Sequence, residues 1–213
     1  MHIKICGLKR PEDVGYVNEF RPEWGGFVFA GHKRKISHET AARLRSQLHP
    51  SIRAVGVFVN EDVEAIARMV ADHTIDMVQL HGDEDAAYIA SLRQALAAAD
   101  CQAPCIKAVR VRDTAQILAL EQLPVEYLLL DAFRQDEYGG SGMVFDHSLI
   151  PHLSKPYFVA GGIDCANAPG IVATLRSRGL ALPCGFDVSS SVETDRVKDR
   201  EKIRDIITLV HTL

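Results

Sequence analysis

The chain has 213 residues, 47% hydrophobic and 24% charged, with a formal net charge of −4. That balance gives material for one large core and, with no basic stripe, argues against a nucleic-acid partner. No run reaches the roughly 18 apolar residues of a membrane span, and the first residues enter a strand-like segment rather than a signal peptide, so a cytoplasmic protein with no membrane partner is expected.

Taken in chain order, short runs rich in Val, Ile and Phe recur along the whole sequence. They read HIKICGL (2–8), GGFVFA (25–30), IRAVGVFVN (52–60), DMVQLHG (76–82), PCIKAVRV (104–111), EYLLLDAF (126–133), PYFVAGGI (156–163) and CGFDVSS (184–190). Most are followed by a stretch with helical spacing. Val63, Ile66, Ala67 and Val70 fall at i, i+3, i+4 and i+7, as do Ile203, Ile206, Ile207 and Val210. The stretch after the sixth run, around 146–153, is short. Strand starts lie about 26 residues apart, enough for a strand, a helix and two loops.

Eight such units without a linker predict one α/β domain over residues 1–213, a (β/α)8 TIM barrel. A doubly wound dinucleotide fold would want GxGxxG after its first strand, where this chain has CGLKRPED. The five cysteines, Cys6, Cys101, Cys105, Cys165 and Cys184, include no CxxC pair and predict free thiols. Cys101 and Cys105 have no second Cys or His pair nearby to complete a zinc site.

Active sites of this fold sit at the C-terminal strand ends. Those ends carry Cys6, Arg34, Asn60, His81, Arg110, Asp131, Gly161 with Gly162, and Asp187 through Ser191. In the first strand Ile3 and Ile5 alternate with Lys4 and Cys6, so isoleucines packed under helices turn Lys4 and Cys6 inward. A free cysteine is most often a small buried hydrophobe, but an inward one at a strand top faces the barrel mouth. An interior lysine needs partners. By similar parity Gln79 and Lys107 share the interior, with Asp131 and Asp187 as available anions. Such a network fixes strand register and places positive potential near the thiol, favouring thiolate.

Glycine and serine cluster at the ends of strands seven (AGGI) and eight (DVSSS), and YGGSG, ending at Gly142, follows strand six. Glycine lets backbone N–H groups approach a phosphate and serine adds donors. Gly142, Gly161, Gly162, Ser189 and Ser190 are therefore phosphate-binding candidates, with a short helix N-terminus expected near Ser189–Glu193.

In this order the segments KICGL (4–8), HKRKIS (32–37), VGVFVN (55–60), VQLHGDE (78–84), LLLDA (128–132), GGSGMVFD (139–146), AGGI (160–163), FDVSSSVE (186–193) and VKDREKI (197–203) resemble the phosphoribosylanthranilate isomerase family of tryptophan biosynthesis. The resemblance implies an Amadori rearrangement of an aminoaldose phosphate to an aminoketose phosphate, without cofactor or metal. It implies Cys6 as general base, Asp131 as general acid, and Arg34, His81 and Asp187 as substrate-binding residues. It further implies a small phosphorylated substrate and a monomer or homodimer. The chain departs from the family with His147 in place of Trp, Ser191 in place of Gly, and DCANAP after AGGI. Two rival readings are a phosphosugar isomerase with another aglycone and a non-catalytic barrel that binds phosphorylated ligands. His32, Arg34 and His147 bear on the first; the pairing of Cys6 with Asp131 opposes the second, since binding alone needs neither.

Overall fold

The computed structural model describes residues 1–132 and 145–213. Parallel strands β1 (His2–Cys6), β2 (Trp24–Val28), β3 (Arg53–Phe58), β4 (Met77–Leu80), β5 (Cys105–Val111), β6 (Tyr127–Ala132), β7 (Tyr157–Val159) and β8 (Gly185–Val188) pair in chain order. β8 then pairs back with β1, setting Lys4 beside Asp187, and closes the barrel. Closure excludes the open doubly wound sheet and leaves no strand edge. Among the described residues no helix is long and apolar enough to cross a membrane.

The helices α1 (Pro11–Phe20), α2 (His38–Arg45), α3 (Val63–Ala71), α4 (Ala86–Ala98), α5 (Thr114–Glu121), α6 (Ala168–Ser177) and α7 (Arg200–Thr212) follow the expected spacing. α3 begins where the Asp62 carboxylate accepts the Ala65 N–H, and it buries Ile66, Ala67 and Val70. α7 begins where Asp199 accepts the N–H groups of Glu201 and Lys202, and it buries Ile203, Ile206, Ile207 and Val210. Each fully buried isoleucine contributes roughly 1.5–3 kcal/mol by leaving water. Among the described residues between β6 and β7 the helical element is a 3-10 turn, His147–Leu149.

Side-chain alternation splits the core in two. Ile3 and Ile5 lie in the shell between strands and helices, as parity predicts. Trp24, Val55, Met77, Ile106, Ala108, Leu129, Phe158 and Ala160 fill the barrel interior. Trp24 and Phe158 meet edge to face, with centroids 4.9 Å apart. Lys107 corrects the sequence reading. It alternates with the inward Ile106 and Ala108, so it points outward, where its Nζ donates to Glu84 Oε2 at 2.7 Å and to the Gly82 carbonyl at 2.7 Å.

Candidate active site

One cavity of about 380 Å³ opens at the C-terminal end of the barrel. Its wall includes Cys6 from β1, Arg34 from the loop after β2, His81 just after β4 and Asp131 from β6. Gly161, Gly162, Asp187, Ser189 and Ser190 complete the set read from the sequence, with the exception of Gly142, which lies outside the described residues. Asn60 is not in this wall. It adopts φ +50°, and its N–H and Oδ1 engage Glu84 and the Asp83 N–H, which shapes a turn.

Below the cavity Lys4 is fully buried. Its Nζ donates to Asp187 Oδ2 at 3.0 Å and to Gln79 Oε1 at 2.6 Å. Burial pulls the Lys4 pKa down, but Asp187 and Cys6 outweigh it, so the ammonium is favoured. Burial pushes the Asp187 carboxyl up, against the pull of Lys4. At Cys6, burial also pushes the thiol up, and the opposing pull of Lys4 does not cancel it. The expected thiolate-favouring effect of Lys4 is therefore present but loses to desolvation. Gln79 Nε2 lies 3.0 Å from His81 Nδ1, and His81 Nε2 lies 3.3 Å from Asp131 Oδ2. Asp131 Oδ1 accepts the Ala132 N–H at 2.8 Å. A Cβ on Gly161, at φ +83°, would come within 2.9 Å of this Oδ1, so glycine is needed for the loop after β7 to pass the carboxylate.

Arg34 is less free than the sequence suggests. Its Nε and Nη2 donate to Glu193 Oε1 and Oε2 at 2.7 and 2.8 Å. Lys198, almost fully buried, donates to the same Glu193 Oε1 at 2.9 Å and to the Ser189 carbonyl at 2.9 Å. Despite the cost of burial, Arg34 and Lys198 hold the Glu193 carboxyl down at about 2. The arginine stem crosses Gly7, at φ +86°, where a Cβ would sit 2.5 Å from Arg34 Cδ. The pair with Glu193 uses two of the five guanidinium N–H groups, and the Nη1–Nη2 edge offers a second fork for a carboxylate.

In the loops after β7 and β8, Gly161 and Gly162 both have positive φ, and Ser190–Val192 forms the expected short helical turn. The Ser189 hydroxyl donates to the Cys6 carbonyl at 3.0 Å, tying β8 to β1. Ser191 lines the cavity. His147, considered for the aglycone end, is absent from the wall; its ring packs on Phe145 at 4.5 Å. Sequence reasoning missed Glu193 as the partner of Arg34 and Lys198 as the second cation on that carboxylate. Their only signal was two charges inside motifs otherwise matched for their serines and their place in the chain.

A profile of the N-(5'phosphoribosyl)anthranilate (PRA) isomerase family matches residues 3–208. The chain belongs to this family. A relative from Endomicrobium trichonymphae, named N-(5'-phosphoribosyl)anthranilate isomerase, is 44% identical over 211 residues, covering 99% of this chain and 98% of its own. Engineered monomers of the dimeric phosphoribosylanthranilate isomerase of Thermotoga maritima superpose with TM-score 0.78 at 29% identity, covering 100% of both chains. A phosphoribosyl anthranilate isomerase in complex with reduced 1-(o-carboxyphenylamino)-1-deoxyribulose 5-phosphate superposes with TM-score 0.76 at 29% identity, again over 100% of both chains. The isomerase family thus shares the closed barrel that brings Cys6 and Asp131 to one cavity here.

Proposed function

We propose that this chain isomerises N-(5'-phosphoribosyl)anthranilate to 1-(2-carboxyphenylamino)-1-deoxyribulose 5-phosphate, a step of tryptophan biosynthesis, with Cys6 as base and Asp131 as acid. The observation that carries the assignment of roles is that β1 and β6, which are not neighbours, deliver these two groups to a single cavity. Asp131 gives a proton to the furanose oxygen, the C1′–O bond breaks and C1′ becomes an iminium. Cys6 as thiolate takes the C2′ proton, and the electron pair left behind neutralises the iminium as an enolamine. Return of the proton from the Cys6 thiol to C1′, with the C2′ hydroxyl proton passing to the Asp131 carboxylate, then gives the ketone and restores both groups. Atoms balance, as an isomerisation requires.

Recognition divides between the two walls. The free fork of Arg34 suits the anthranilate carboxylate. Backbone N–H groups around Gly161, Gly162, Ser189 and Ser190 suit the phosphate, and that anchoring keeps the reacting carbons between base and acid. All of these residues come from one chain, so monomer and homodimer both leave the site whole. The five free thiols fit a cytoplasmic setting.

The test is consumption of phosphoribosylanthranilate by the purified protein, followed by fluorescence, alongside Cys6→Ser and Asp131→Asn. Both variants should bind substrate and lose turnover by at least about a hundredfold. If Cys6→Ser kept near-wild-type turnover, Cys6 would not be the base. An Asp131→Asn enzyme with a tenth of the rate would move the acid to another group.

A further inference from the structure

Three polar side chains connect the base end of the cavity to the acid end. Lys4 Nζ donates to Gln79 Oε1 at 2.6 Å. Gln79 Nε2 then meets His81 Nδ1 at 3.0 Å. His81 Nε2 lies 3.3 Å from Asp131 Oδ2, yet it makes no hydrogen bond among the described residues although it is buried.

The donor inventory leaves one arrangement of protons. An ammonium has no acceptor, so the group facing Lys4 must be the amide oxygen. That turns the amide NH2 toward His81, and an NH2 can only donate, so Nδ1 must accept. A ring whose Nδ1 accepts carries its proton on Nε2. Lys4 cannot turn away, because it is fully buried and its Nζ is also held by Asp187 Oδ2 at 3.0 Å.

We propose that Lys4 and Gln79 are positioning residues that lock His81 as its Nε2–H tautomer, presenting a donor to the substrate oxygen beside Asp131. This rests on the isomerase reading for its substrate, while the tautomer itself follows from the contacts alone. Nε2–H has no hydrogen-bonded acceptor among the described residues and stands in the cavity wall within 3.3 Å of the acid's carboxylate. A sugar oxygen taking a proton from Asp131 comes within reach of the same N–H. The amide then acts at a distance: it touches no substrate, yet it decides whether His81 offers a proton or a lone pair there. In the other tautomer the ring would present a lone pair to a sugar oxygen that needs a donor.

The decisive measurement is a long-range 1H–15N correlation spectrum of the full chain labelled with 15N-histidine. His81 is assigned by the signal lost in His81→Asn. In the wild type at pH 8 the His81 proton should sit on Nε2. In Gln79→Glu the carboxylate, held ionised between Lys4 and the ring, can only accept, so the proton should move to Nδ1. With it, kcat should fall on the order of a hundredfold, the scale of losing one aimed donor, while KM changes little. Finding the wild-type proton on Nδ1, or on both nitrogens, would overturn the assignment without any variant having to fold. A tautomer that flips in Gln79→Glu with kcat unchanged would overturn the positioning role. Loss of isomerase activity in the wild type with Nε2–H observed would fail the functional reading and leave the tautomer standing.

Discussion

Replacing Glu193 by Gln probes the cluster that holds Arg34. The carboxylate accepts from Arg34 at 2.7 and 2.8 Å and from Lys198 at 2.9 Å, and its pKa falls from 4.5 to about 2. A shift of that size, at about 1.4 kcal/mol per unit and discounted for partial solvent screening, is worth roughly 2–3 kcal/mol of stability at neutral pH. The variant also leaves Arg34 facing the buried Lys198 with no anion between them, and Lys198 is nearly inaccessible. Removing one partner of such a set typically costs about 3–5 kcal/mol, so a loss of roughly 2–4 kcal/mol at pH 7 is expected. The sign of the pH effect follows from a depressed carboxyl. Its contribution is complete above the unfolded value of about 4.3 and is lost as pH falls through the folded value. The gap between wild type and Glu193→Gln should therefore narrow by roughly 1 kcal/mol on going from pH 7 to about pH 3.5. Urea unfolding at the two pH values measures it. Equal stability at pH 7, or a gap indifferent to pH, would refute the assignment of Glu193 as an ionised clamp.

Two further predictions concern the catalytic and phosphate ends. Because burial pushes the Cys6 thiol above its ordinary 9.0, the residual kcat/KM of Asp131→Asn, in which no acid has to keep its proton, should climb with pH through neutrality and still be climbing at pH 9.0; a plateau reached below neutral would place the titrating base elsewhere. Gly162→Val puts a branched side chain at φ +62° beside the phosphate wall, and should weaken a phosphorylated ligand about tenfold or more while sparing its dephosphorylated analogue. Equal losses for both ligands, measured by calorimetry, would remove the phosphate from this loop.

Much of this was legible because the barrel repeats a simple pattern. In β1 the alternation of Ile3 and Ile5 with Lys4 and Cys6 is unambiguous, and the structure keeps both isoleucines outside. β5 is different: CIKAVRV carries apolar residues on both faces, so parity gives no signal, and Lys107 was assigned to the wrong side. Strand-end position was enough to collect Cys6, His81, Asp131 and Asp187 at one cavity. It also nominated Asn60, which forms a turn, and left His147 open as a wall residue, which the packing against Phe145 denies. The partner of Arg34 was beyond reach for another reason. Glu193 lies 159 residues further along, and only closure of β8 on β1 brings its loop against the one after β2.

The two charged networks answer to different constraints, and this separates their effects on the reaction. Lys4 lies under the cavity floor and Asp187, Gln79 and His81 line the cavity above it, where exclusion of water makes each proton position costly to change. Under the proposed mechanism they set the protonation pattern around Cys6 and Asp131, which enters the barrier for the chemical step. Arg34, Glu193 and Lys198 sit at the rim, joined to the floor through Ser189, whose carbonyl takes Lys198 and whose hydroxyl takes the Cys6 carbonyl. They fix the direction of one guanidinium fork, which under the proposed function enters binding of substrate and transition state alike. Variants of the floor should therefore act on kcat, and variants of the rim on KM. Ser189 hydrogen-bonds both Lys198 and the backbone of Cys6, so a change that shifts its backbone should alter both constants together.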